Sequence, residues 1–72
     1  MNGELRRVTN GGRFQCLLIK FENGKWGRTY TGEDFRNFDL WRDFKVGDHI
    51  TGLKWKDEKK GILDADSPVA LI

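Results

Sequence analysis

Seventy-two residues, 38% of them hydrophobic and including three Trp, five Phe and one Tyr, make one small domain whose thin core has to draw on aromatic rings. Thirteen Lys and Arg against eleven Asp and Glu leave a formal charge of +2, and one Cys with one His excludes both an internal disulfide and a Cys/His zinc cluster. No run approaches the roughly 18 apolar residues of a membrane helix, and the start MNGELRRVTNGG lacks an apolar signal core, so a soluble, cytoplasmic domain without cofactor is expected.

Two Asn-Gly pairs, in Thr9-Asn10-Gly11-Gly12 and in Glu22-Asn23-Gly24-Lys25, separate alternating segments. Asn-Gly accepts the positive φ of a tight hairpin turn, which predicts an antiparallel meander of strands near 4 to 9, 13 to 21 and 25 to 31. Thr31-Gly32-Glu33-Asp34 then reads as a helix start, with Thr31 as N-cap and acids in the first turn. Phe35, Phe38, Trp41 and Phe44 follow at intervals of three, a spacing that gathers the rings on one side of a short helix or 3₁₀ stretch within residues 32 to 44. They read as a plug for the core, with a partner-binding aromatic stripe as the alternative.

The turn Lys45-Val46-Gly47-Asp48 leads into a strand from His49 to Lys56, and Asp57-Glu58-Lys59-Lys60-Gly61 turns the chain back. Ile62 to Ala65 and Val69 to Ile72 supply the closing strand. Proline cannot donate to a ladder, so the interruption at Asp66-Ser67-Pro68 belongs on an edge or at a bulge.

Three strands, a short helix and two strands: this order resembles the OB-fold, a five-stranded barrel with its helix between the third and fourth strands. The resemblance is one of topology, spans nearly the whole chain and rests on no sequence motif. It implies an all-β domain over residues 1–72 with a binding face on strands two and three. The flanking loops would then be Asn10 to Arg13, and Asp57 to Gly61 with Lys54, Lys56, Lys59 and Lys60 around it. An SH3-like barrel is the competing architecture.

Register decides which side chains the face presents. If Asn23-Gly24 forms a two-residue turn, Phe21 lies opposite Trp26, Ile19 opposite Arg28 and Leu17 opposite Tyr30. One face then carries Arg6, Arg13, Gln15, Phe21, Trp26, Arg28 and Tyr30, and the other Leu5, Phe14, Cys16, Leu18, Gly27 and Thr29. The first would force three arginines into the core, and an unpaired buried cation costs several kcal/mol, so it is expected to point outward. Leu17 and Ile19 would be exposed with it, and a three-residue turn would exchange the faces.

Charge is distributed to match. Residues 1 to 31 hold six Lys or Arg against two acids, residues 32 to 48 three against five, and the rest four against four. Rings interleaved with cations suit single-stranded nucleic acid, DNA or RNA, because bases stack on aromatic planes while Lys and Arg neutralise phosphates. Trp26, Tyr30 and Phe21 are the expected stacking residues, Arg28, Arg13 and Arg6 the backbone contacts, and Lys59 and Lys60 a flanking clamp.

Enzyme chemistry has little support. His49 and Asp48 are neighbours whose strand side chains diverge, Cys16 falls among core candidates, and Asp64 with Asp66 lacks further metal ligands. The rival reading is a protein-interaction module, regulator or inhibitor, since Trp, Tyr and Arg also dominate protein interfaces. In addition, the apolar end Val69-Ala70-Leu71-Ile72 offers an edge strand for self-association.

Overall fold

Alternating apolar and polar residues on either side of two glycine turns give three long strands that pair in sequence. A computed structural model describes all 72 residues. It contains β1 (Gly3–Asn10), β2 (Gln15–Phe21), β3 (Trp26–Thr31), α1 (Phe38–Trp41), β4 (His49–Thr51), β5 (Trp55–Asp57), β6 (Ile62–Leu63) and β7 (Ala70–Leu71). All seven strands belong to one curled sheet of order β5-β6-β3-β2-β1-β4-β7, antiparallel except where β3 meets β6. The domain is thus all-β with a single-turn helix, and its seven-stranded ladder differs from the expected five strands.

Glycine geometry explains much of the difference. Gly52 has φ +83°, a left-handed conformation that breaks the expected 49 to 56 strand into β4 and β5. Across this bend the backbone stays bonded on both sides: Leu53 N–H donates to Met1 O at 3.0 Å, and Asp64 N–H donates to Lys54 O at 2.8 Å. The closing segment is interrupted as Pro68 requires, leaving β6 and β7 at two residues each.

The turn between β2 and β3 corrects the predicted register. Phe21 N–H donates to Lys25 O at 2.9 Å, Gly24 N–H donates to Phe21 O at 3.0 Å, and Gly24 has φ +86°. These bonds define a three-residue loop, Glu22-Asn23-Gly24, with glycine in its left-handed position. Lys20 therefore faces Trp26, Leu18 faces Arg28 and Cys16 faces Tyr30. Relative to the two-residue turn, β2 is shifted by one position, and its whole side-chain set changes faces.

The interior consequently takes Leu17, Ile19 and Phe21 from β2, with Gly27, Thr29 and Thr31 from β3. Leu5, Trp41, Ile50, Leu53, Leu63 and Val69 complete the core, and Phe44 and Trp55 pack against it. This core is mainly aliphatic. Of the expected interior set, Leu5, Gly27 and Thr29 are inside, Cys16 and Leu18 are half-buried on the other side, and Phe14 is exposed.

The plug forms, but as a chain of tight turns. Phe35 N–H bonds Gly32 O, Phe38 N–H bonds Phe35 O and Phe44 N–H bonds Trp41 O, each a three-residue step that matches the ring spacing. Trp41 is 2% exposed, its Nε1–H donates to Ala65 O at 2.8 Å, and its ring meets Phe44 edge-on at 5.6 Å. Phe35 instead is exposed. Thr31 ends β3 and is not the N-cap; its hydroxyl donates to Asn37 Oδ1, while Asn37 Nδ2 donates to Tyr30 O. Asn37 thus ties the plug to β3 with both ends of its amide satisfied. No helix is long and apolar enough to cross a membrane.

Candidate nucleic-acid interface

Outside the sheet, cross-strand pairing stacks side chains in rows. Trp26 on β3, Lys20 on β2 and Glu4 on β1 form the first row; Arg28, Leu18 and Arg7 the second; Tyr30, Cys16 and Thr9 the third. Directly opposed residues share a face and lie within contact range, so the first row places Lys20 next to the Trp26 ring. Trp26 is 45% exposed and Tyr30 36%. They lie four residue steps apart along the strand, about 13 Å at ~3.3 Å per residue.

A bulge adds a second arginine. Pairing of β1 with β2 shifts between Leu5 and Arg7, which leaves Arg6 as the extra residue. In an unbulged strand, alternation from buried Leu5 would turn Arg7 inward. With the bulge, Arg7 shares the outer face with Leu18, and the Arg6 guanidinium still reaches to 5.9 Å from the Trp26 ring centroid. Lys20 Nζ lies 5.4 Å from the same centroid. Both distances fall within cation–π range, which orders the indole at the surface. At the other end of β3, Phe14 meets Tyr30 edge-on at 5.7 Å.

A groove of about 400 Å³ runs beside the first two rows, between β3 and the Glu58–Gly61 turn. Trp26, Arg28, Trp55, Lys59 and Lys60 line it, and Arg28 N–H donates to Gly61 O at 2.9 Å beneath. Charge is unevenly compensated here. Lys25 is paired with Glu58 at 3.3 Å and Arg6 lies 3.9 Å from Glu4, whereas Arg7, Lys20, Arg28, Lys59 and Lys60 have no ion-pair partner.

The expected site residues therefore separate. Arg6, Trp26, Arg28 and Tyr30 share the outer face, with Lys59 and Lys60 at its border. Phe21 does not join them: at 6% exposure it is core, its ring 5.1 Å from Trp55, because the three-residue turn points it inward. Arg13 sits in the β1–β2 turn beside Glu33 and Asp34, at the end of β2 remote from Trp26. Lys56 borders a different cavity with Phe35, Asp64 and Asp66, and Lys54 is exposed on the Gly52–Lys54 connection.

Arg7 and Lys20 belong to the outer face, and Trp55, half-buried against the core, borders the groove, but none of the three was singled out by sequence. Lys20 follows at once from a three-residue turn; Arg7 depends on a bulge that no local motif announces. Asp48 accepts from Lys45 N–H, and Asp64 accepts from Asp66 N–H, so both build turns. Asp66 pairs with Arg36 at 3.1 Å. No group of three His, Cys, Asp or Glu side chains is placed to share a metal ion. No protein-family model, curated protein or solved structure matches the chain, so the site rests on its own residues and geometry.

Proposed function

We propose that the protein binds single-stranded nucleic acid on the outer face of β1, β2 and β3, as a binding module that performs no chemistry on its ligand. The observation that carries this reading is Trp26, a half-exposed indole flanked by Arg6 and Lys20 on a face with further unpaired cations. A base stacking on such a ring gains about 1 to 3 kcal/mol, and each cation that replaces a counterion at a phosphate strengthens binding in a salt-dependent way. Trp26 and Tyr30 take bases, while Arg7, Lys20 and Arg28 take the phosphates between and beside them.

We also read the architecture as an OB-like barrel. Taken as one strand bent at Gly52, β4 and β5 bond β1 through His49–Leu53 and β6 through Lys54–Asp57, which gives the strand neighbours of a five-stranded OB barrel. In that reading the aromatic-basic face lies on the second and third strands.

Titrating fluorescently labelled oligo-dT and oligo-U at low and moderate salt tests the function. Binding that weakens steeply with salt supports it. A protein partner is the second reading, favoured by the Trp, Tyr and Arg composition of the same face. Absence of binding to either oligonucleotide at low salt moves the function there.

A further inference from the structure

We propose that the groove between β3 and the Glu58–Gly61 turn holds the terminal phosphate of a nucleic-acid strand, a phosphomonoester at its 5′ or 3′ end. The inference rests on the single-stranded nucleic-acid reading and adds to it an end preference. Arg28, Lys59 and Lys60 converge on this groove, and none of the three has an acidic partner. An internal phosphodiester carries one negative charge, whereas a terminal monoester carries about 1.5 to 2 at neutral pH and presents three acceptor oxygens. Three uncompensated cations in one groove match the monoester better.

The shape of the groove agrees. Lys25 Nζ and Glu58 Oε2, 3.3 Å apart, tie the β2–β3 turn to the β5–β6 turn, and both residues line the groove. This bridge joins the two turns that border the groove, so a strand that ends there does not have to pass it. Trp26 and Trp55 line the same groove and offer an indole surface to the terminal base. The two lysines lie in a turn held by its own backbone, Lys60 N–H donating to Asp57 Oδ1 and Gly61 N–H to Glu58 O, so their side chains are free to close on a ligand.

The test compares three internally labelled dT oligonucleotides of about eight nucleotides, within the span of one small binding domain. One carries a 5′-phosphate, one a 3′-phosphate and one hydroxyls at both ends. One phosphorylated end is expected to bind about two- to fivefold tighter than the hydroxyl form, the range of one or two exposed ion pairs. The double variant Lys59→Ala/Lys60→Ala should abolish that ratio while keeping the parent's melting temperature. Equal affinity for all three oligonucleotides, with Trp26→Ala still weakening binding, overturns the end preference and leaves the nucleic-acid reading standing. A preference that persists in the double variant overturns the assignment to this groove. Failure of all three to bind overturns the nucleic-acid reading itself, and the end preference with it.

Discussion

Lys20 stands directly across the sheet from Trp26, its ammonium 5.4 Å from the indole centroid. That pairing exists because the turn between them has three loop residues. With two, Phe21 would occupy the place of Lys20, the ring would lose the nearer of its two cations, and the core would lose Phe21. One residue of loop length therefore sets both the interior and the chemistry of the exterior.

Gly24 should be sensitive for this reason. Its φ is +86°, yet a Cβ there would meet nothing within 4 Å, so the cost of a side chain is conformational and not steric. Gly24→Ala is expected to destabilise the fold by about 1 to 2 kcal/mol, and Gly24→Asn by less, because Asn tolerates the left-handed region. Urea melts of the two variants check the ordering.

Removing single cations should separate the face from its surroundings. Lys20→Ala, Arg7→Ala and Arg28→Ala should each flatten the dependence of log affinity on log salt by about 0.7, the amount expected for one phosphate contact with a single strand. Arg13→Ala should leave the slope unchanged, since Arg13 lies beside Glu33 and Asp34 at the far end of β2. Equal slopes for Arg13→Ala and Arg28→Ala would show that only net charge matters.

Much of β3 was legible in the sequence. Its alternation puts Trp26, Arg28 and Tyr30 on one side and Gly27 and Thr29 on the other whatever the turn, and the cost of burying the arginine favoured the outward orientation without deciding it. The strands before and after it were harder, for two different reasons. In β2, Leu17 and Leu18 are both apolar and so are Cys16 and Ile19, so pattern alone leaves the register open and the loop length decides it. In β1, the bulge at Arg6 changes alternation midway, and only pairing with β2 reveals it. The break at Gly52 is legible as a glycine, but its effect depends on a long-range approach: a Cβ there would lie 2.5 Å from Pro68 O.

Trp41 offers a test of the plug. Its ring is 2% exposed and its Nε1–H donates to Ala65 O, which links the helix to the loop after β6. Trp41→Ala should cost about 3 to 5 kcal/mol, as expected for a large buried ring. Trp41→Phe keeps part of the packing but leaves the Ala65 carbonyl without its donor, so an intermediate loss is expected. Thermal melts followed by circular dichroism would resolve the series, and a melting temperature unchanged in Trp41→Ala would mean that the plug does not stabilise the sheet.

Phe21 and Trp26 flank the same turn five residues apart and point to opposite sides of the sheet, so truncating each should give opposite results. Phe21→Ala removes a ring packed against Trp55 and next to Gly27, where an added Cβ would already lie 3.0 Å from the phenyl group. A loss of about 3 to 5 kcal/mol in stability is expected, with oligonucleotide affinity retained at temperatures where the variant is still folded. Trp26→Ala removes an exposed ring held by Arg6 and Lys20, so stability should change by less than about 1 kcal/mol while affinity falls by about 1 to 3 kcal/mol through lost stacking. Both quantities can be measured on both variants, by urea melts and fluorescence anisotropy. If Phe21→Ala lost affinity without losing stability, the two-residue turn would be restored and Phe21 would return to the binding face.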